Sequence, residues 1–176
     1  MKKLLFLIIP IFALFLIGMT PIAKDPEYIG ANKCKMCHQK PDKGAQFKVW
    51  SEGPHAYAME SLKTDLAKEV GKKVNVFDPV TSPACLSCHS TYGHIDPELA
   101  KGLKLGEAVS CESCHGPGSM YKSASVMRDR DLAIEMGMII PTEETCRGCH
   151  NPKSPTFKEF NYEEALKKIA HPDPTQ

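Results

Sequence analysis

Cys34-Lys35-Met36-Cys37-His38 is the first of four copies of one short pattern in this chain of 176 residues. The pattern is Cys-X-X-Cys-His, and it recurs as Cys85-Leu86-Ser87-Cys88-His89, Cys111-Glu112-Ser113-Cys114-His115 and Cys146-Arg147-Gly148-Cys149-His150. The four copies use all eight cysteines, so none remains for a disulfide framework or a zinc site. Cys-X-X-Cys-His is the attachment signature of c-type haem. The sequence therefore predicts four haems c, bound covalently through these eight cysteines.

Each motif also places its reactive side chains on one face of a helix. Residues i, i+3 and i+4 share a helical face, so both sulfurs and the imidazole of a helical motif point to the same side. The histidine that directly follows the second cysteine is then placed to bind the haem iron as its proximal ligand. This predicts proximal ligation by His38, His89, His115 and His150.

The remaining histidines decide what occupies the sixth position of each iron. The chain has seven histidines, so only His55, His94 and His171 are left for four irons. His94 follows His89 too closely to reach across the same haem and would serve a neighbouring one. Methionines are alternative ligands, although packing against porphyrin is their expected role. Histidine alone therefore leaves one iron open.

The composition predicts a compact, mainly helical fold with a small side-chain core. Aromatic residues make up 7% of the chain, and many of its aliphatic side chains lie in the first 23 residues, so bound porphyrins have to fill the interior. Apolar spacing and capping patterns predict helices over residues 54–70, 96–103 and 161–170, and one carrying the fourth motif. Weak strand signals are confined to residues 73–77 and 137–140. The expected architecture is short helices and long loops wrapped around four haems, with little or no sheet.

Residues 1–23 have the pattern of a targeting segment, and residues 24–176 form the predicted tetrahaem domain. Lys2 and Lys3 precede an apolar run from Leu4 to Met19, as in a secretory signal peptide. A retained N-terminal membrane anchor is the alternative, although the run is short for a span of about 20 residues. Both alternatives predict export to the periplasm, the second with anchoring to the inner membrane. The nearly balanced charge of the chain predicts no nucleic-acid partner.

Several segments resemble the tetrahaem cytochrome c-554 family. They are Trp50 with His55-Ala-Tyr-Ala-Met-Glu-Ser-Leu62, the third motif extended to Cys111-Glu-Ser-Cys-His-Gly-Pro-Gly118, and the end of the last helix, Lys167-Lys-Ile-Ala-His171. The extended third motif is also similar to the haem-packing motifs of hydroxylamine oxidoreductase. The resemblance implies a compact multihaem cytochrome c fold.

The resemblance further implies a set of iron ligands. It pairs His55 with the haem on His115, pairs His171 with the haem on His38, and leaves the iron on His89 five-coordinate.

The fourth haem departs from the family pattern. The family supplies its sixth ligand from the stretch after the Gly-Pro-Gly turn, but residues 119–149 contain no histidine. The iron on His150 is therefore left with His94, a methionine such as Met127, or no sixth ligand.

Two functions from different classes follow from these expectations. The first is a carrier that passes single electrons through closely packed haems between redox partner proteins. Its donor would be an oxidoreductase or a quinone-linked protein, and its acceptor a reductase or an oxidase. The second is an enzyme or binding protein for nitric oxide, nitrite or hydroxylamine at a five-coordinate haem. The sequence favours the carrier and leaves open whether the protein is also an enzyme.

Overall fold

Short helices joined by loops form the described part of the chain. The computed structural model describes residues 25–104 and 106–172, except for the side chain of His94. Its α-helices are α1 (Ala31–His38), α2 (Gln46–Glu52), α3 (Ala58–Ser61), α4 (Asp65–Lys73), α5 (Pro83–His89), α6 (Cys111–His115), α7 (Ala124–Met127), α8 (Arg130–Glu135), α9 (Glu143–Arg147) and α10 (Tyr162–Ile169). Three 3₁₀ helices are found at Pro41–Lys43, Pro54–Tyr57 and Tyr92–His94. These residues contain no strand, which confirms the mainly helical fold.

The predicted targeting segment, residues 1–23, lies outside the described residues. Within the described ranges, no helix is both long enough and apolar enough to cross a membrane.

The predicted helix over residues 54–70 is divided into three pieces. A 3₁₀ helix and α3 come first, and α4 then begins at a new cap, where the Thr64 hydroxyl accepts a hydrogen bond from the Ala67 amide at 3.2 Å. Such a cap starts a fresh helix because it satisfies an amide that has no partner in the preceding turn. Gly71, which directly follows the predicted helix, lies buried inside α4.

Three predicted elements are absent from the described residues: the weak strands at residues 73–77 and 137–140, and the helix at residues 96–103. At residues 73–77, the Val76 amide bonds to the Gly71 carbonyl at 2.8 Å and closes a turn. At residues 137–140, the Ile139 amide bonds to the His115 carbonyl at 2.9 Å, which docks an extended segment without forming a ladder. Residues 96–103 form consecutive turns rather than a helix. The last helix is present, with the Asn161 side chain accepting from the Glu164 amide at 3.1 Å.

The side-chain core of the described residues is small. Its buried hydrophobic residues are Ala31, Met59, Leu62, Ala100, Ala108, Tyr121 and Ala133. Large apolar side chains are instead exposed, and they are Met36, Tyr57, Leu66, Val74, Phe77, Met120, Ile134, Met136, Ile139, Ile140, Phe157 and Leu166. Exposed apolar area on this scale indicates surfaces that another apolar body covers.

Candidate haem sites

Three of the four motifs end in a helix whose last residue is the motif histidine. These helices are α1, α5 and α6, and their length sets both sulfurs and the imidazole on one helical face. The fourth motif differs, because α9 ends at Arg147 and contains only the first of its cysteines. The helical turn nevertheless continues, since the His150 amide bonds to the Cys146 carbonyl at 2.9 Å. None of the eight cysteines is paired in a disulfide, so each is available for a thioether bond to a porphyrin.

Hydrogen bonds at Nδ1 determine the tautomer of two of the motif histidines. His89 Nδ1 lies 2.9 Å from the Ala58 carbonyl oxygen, and His115 Nδ1 lies 3.0 Å from the Ile139 carbonyl oxygen. A carbonyl can only accept, so each Nδ1 carries the proton and donates it. Each Nε2 is then left with a lone pair, which is the form that binds a metal ion.

His38 reaches the same tautomer through a side chain. Its Nδ1 lies 3.1 Å from Gln46 Oε1, while Gln46 Nε2 donates to the Pro172 carbonyl at 3.0 Å. Because Pro172 offers only an acceptor, the amide nitrogen of Gln46 must face it, and the amide oxygen must face His38. The Nδ1 of His38 is therefore the donor, and its Nε2 is available to a metal ion.

The structure brings together two pairs of histidine rings. The ring centres of His55 and His150 are 6.1 Å apart, and those of His115 and His171 are 5.9 Å apart. Metal–imidazole bonds are about 2 Å long, so two imidazoles on opposite sides of one metal ion have ring centres about 6 Å apart. Both pairs have the separation that one iron between them requires.

These pairs differ from the assignments that the family resemblance implied. His55 lies beside His150 rather than His115, and His171 lies beside His115 rather than His38. The difference arises because the 3₁₀ helix that carries His55 leads into α3, whose Ala58 carbonyl is already bonded to His89. That bond holds His55 at the side of the molecule where motifs two and four meet.

The His55–His150 pair also changes which side chains are candidates for the sixth ligand of the fourth haem. An iron held by His150 would have His55 within reach as its sixth ligand and would not need His94 or Met127. His94 ends a 3₁₀ helix, its side chain is outside the described atoms, and Met127 ends α7 half-buried.

Burial favours the neutral form of three of the paired histidines, His55, His115 and His150. It lowers the pKa of His55, with the neighbouring His150 adding to the effect. It also lowers the pKa of His115, more than the hydrogen bond to Ile139 raises it, and it lowers the pKa of His150. A neutral imidazole keeps the lone pair that an iron ligand needs.

His150 has an aromatic support that the sequence did not reveal. Its ring stacks on Phe160 with 4.7 Å between ring centres and 13° between planes. The guanidinium of Arg147 lies 5.4 Å from the centre of the same phenyl ring. Stacking of this kind fixes the orientation of the imidazole.

The four motifs approach one another through their cysteines. The thiol of Cys34 in the first motif lies close enough to that of Cys111 in the third to interact with it, and the same is true of Cys88 in the second motif and Cys149 in the fourth. Cys149 also lies 4.0 Å from the Ser87 carbonyl of the second motif. The third and fourth motifs adjoin as well, since Cys114 interacts electrostatically with both cysteines of the fourth motif.

Glu112 is the main structural residue of the site that sequence reasoning missed. Its buried carboxylate accepts hydrogen bonds from the amides of Gly30 and Gly118, both at 2.7 Å, and from that of Ile29 at 3.0 Å. Burial raises its pKa, although these backbone amides oppose the change. Glu112 thereby ties the segment before α1 to the third motif. Its position between two cysteines made it look like a spacer residue.

An apolar cavity adjoins the second motif. Its volume is about 320 Å³, and its lining includes Met59, Val80, Leu86 and Tyr92. These features together fit haem, which is a flat apolar group with an iron centre. The motif cysteines can bind its edge, the neutral imidazoles can bind its iron, and the apolar side chains can cover its faces.

Comparison with known proteins identifies the family. Residues 33–116 match the family model described as cytochrome c554 and c-prime. The chain is 34% identical over 149 residues to cytochrome c-554 of Nitrosomonas europaea, an alignment that covers 73% of this chain and 60% of that protein. The chain thus spans about 60% of the length of this curated relative.

A solved structure agrees with the sequence matches. The reduced state of cytochrome c554 from Nitrosomonas europaea superposes with a TM-score of 0.60 at 28% identity, covering 83% of this chain and 84% of that one. The motifs, the fold and these matches lead to one conclusion: the chain belongs to the cytochrome c554 family and binds haem c covalently.

Proposed function

We propose that this protein is a periplasmic electron carrier that holds four haems c and passes single electrons between redox partner proteins. The observation that carries the proposal is the proximity of the motifs, since α1 packs against α6 and Cys149 of the fourth motif lies 4.0 Å from the Ser87 carbonyl oxygen of the second. Porphyrins attached to adjoining cysteines have their edges close together. The proximity of Cys114 to the fourth motif joins the two pairs into one series, in the order first, third, fourth and second.

Haem c supplies an iron that changes between the ferric and ferrous states when it gains or loses an electron. The chain's own residues set the conditions for that change. His38, His89, His115 and His150 would bind from the proximal side, with Nδ1 of the first three held by Gln46, Ala58 and Ile139. His55 and His171 would bind the irons on His150 and His115 from the distal side. Ligands fixed in this way do not have to rearrange when the charge on the iron changes.

The proposed partners are a donor oxidoreductase or quinone-linked protein and an acceptor reductase or oxidase. Export by the N-terminal segment supports a periplasmic location, because residues 1–23 carry the signal-peptide pattern. N-terminal sequencing of the exported protein tests cleavage near residue 23. A mature protein that begins at Met1 would favour the anchor instead.

The carrier function is tested by following electrons within the protein. When the oxidised protein receives one electron by pulse radiolysis, that electron should distribute over the haems faster than it leaves for a second molecule. Voltammetry of the adsorbed protein should resolve four one-electron couples. Four couples that equilibrate only through collisions between molecules would contradict the proposal.

A second candidate function is reduction or binding of a small nitrogen species, such as nitric oxide, nitrite or hydroxylamine. The observation that favours it is the supply of ligands, because only His94 remains for the two irons on His38 and His89. The electron paramagnetic resonance (EPR) spectrum of the oxidised protein should show one high-spin ferric haem. Nitric oxide should perturb that signal, and turnover of added hydroxylamine or nitrite would then separate catalysis from binding. An entirely low-spin spectrum would remove this candidate.

A further inference from the structure

The side chain of Gln46 connects two haem sites that are far apart in the sequence. It accepts a hydrogen bond from His38, 8 residues earlier, and donates one to the Pro172 carbonyl, 126 residues later. Pro172 directly follows His171, whose ring lies 5.9 Å from that of His115. One amide at the start of α2 therefore touches the proximal histidine of the first motif and the chain segment that carries the partner of the third.

We propose that Gln46 is a positioning residue that sets the donor strength of His38 and holds His171 opposite His115. The proposal rests on the iron ligation proposed above for these three histidines. An acceptor at Nδ1 draws the proton outward and makes Nε2 a stronger donor to the metal ion. A stronger donor stabilises the ferric state and lowers the reduction potential.

The first motif is suited to such adjustment because its acceptor belongs to a side chain. His89 and His115 donate to main-chain carbonyls, which no substitution removes. The acceptor of His38 can be strengthened or deleted by changing one residue. Gln46 is half-buried and lies on α2, which packs against α1.

Two substitutions separate the acceptor from the donor end of this amide. Gln46→Glu keeps an oxygen for His38 and adds a negative charge to it, so the potential of the first haem should fall. Gln46→Leu removes the acceptor, so the same potential should rise. We expect each change to alter the ratio of ferric to ferrous protein about tenfold, which is about 59 mV for a one-electron couple. An EPR-monitored redox titration measures both shifts, and the other three couples should move less.

A substitution that merely disturbs packing would move the potential in one direction in both variants. Shifts of the same sign, or no shift, would therefore overturn the role of Gln46 as an acceptor. Ser51→Glu serves as the charge control, because it adds the same charge to α2 without touching His38, and its shift should be smaller than that of Gln46→Glu.

The hydrogen bond from Gln46 Nε2 to the Pro172 carbonyl is tested by a separate measurement, the spin state of the haem on His115. Both Gln46 variants lose the N–H that bonds to the Pro172 carbonyl, so both should raise the high-spin fraction of the haem on His115. An unchanged spin state in both variants would overturn the role in holding His171. A His38→Ala variant that keeps all four wild-type couples would instead overturn the ligation on which the proposal rests, and the two failures are thus distinguishable.

Discussion

The imidazole of His55 lies beside that of His150, with 6.1 Å between ring centres and 55° between ring planes. Two rings at this separation can bind one iron from opposite sides. Phe160 belongs to the same site, because its ring stacks on His150 and limits the rotation of the imidazole. Although α9 ends at Arg147, the imidazole of His150 is therefore held in position by its contacts with neighbouring rings.

The first prediction concerns His55. His55→Ala should remove one sixth ligand and convert one low-spin ferric haem to high-spin in the EPR spectrum. The affected haem should be the one on His150. Phe160→Leu removes the ring that stacks on His150 and lies under Arg147 but leaves both paired histidines in place, so it should shift the g values of that same low-spin signal. Two different signals for the two variants would contradict the pairing.

The second prediction concerns His171, which lies 5.9 Å from His115 between ring centres. His171→Ala should also create one high-spin haem, and it should remove a different low-spin signal from that lost in His55→Ala. The double variant should therefore lose two low-spin signals. Loss of the same signal in both single variants would mean that the two histidines serve one iron.

The third prediction concerns stability and depends on Glu112. Glu112→Gln places an amide NH₂ group against backbone N–H donors, so one buried donor loses its acceptor. We expect a loss of about 1–3 kcal/mol in the free energy of unfolding, measured with guanidinium. Glu107→Gln is the matched control, because Glu107 accepts from a single amide, that of Ala31 at 3.1 Å. An equal loss in both variants would contradict the special role of Glu112.

The effect of Glu112→Gln on the free energy of unfolding should depend on pH, and its direction follows from the pKa of Glu112. Burial raises the pKa of Glu112 above its ordinary value of about 4.3. A group with a raised pKa in the folded state stabilises that state fully below its unfolded pKa, and this contribution is lost as the pH rises through the raised value. The difference in stability between wild type and Glu112→Gln should therefore narrow as the pH rises above about 4. A difference that widens over this range would refute the effect of burial on this carboxyl.

The fourth prediction concerns the protein without haem. Replacing all eight cysteines by alanine should give a chain that shows no cooperative thermal transition by circular dichroism. The reason is the small core, since the described buried hydrophobic residues include four alanines, while large side chains such as Phe77 and Ile139 stay uncovered. A cooperative transition in this variant would show that the side chains alone form a sufficient core.

The haem motifs and the fold class could be predicted from the sequence because their signals are local. Cys-X-X-Cys-His combines covalent chemistry and helical spacing within five residues, and every cysteine obeys it. The cap at Thr142 and the cap at Asn161 were likewise readable, since each acts on an amide three residues away.

The distal pairing could not be predicted, because it depends on contacts between distant segments. The place of His55 is fixed where the carbonyl of Ala58 binds His89, a contact across 31 residues. The prediction of one helix over residues 54–70 was wrong for a related reason. The apolar periodicity of Met59, Leu62 and Leu66 does not reveal the cap at Thr64, where a second helix begins. Leu66 proved exposed, so the apolar spacing did not mark one continuous buried face.

The bond between Gly30 and Glu112 spans 82 residues, and it has a consequence for the order in which the protein matures. Because Glu112 comes 82 residues after Gly30, the amides in front of α1 gain their acceptor only when the third motif is present and folded. Helix α1 can pack against α2 before then, but the segment that precedes it has no anchor. The buried carboxylate therefore makes completion of the first site depend on the folding of the third motif.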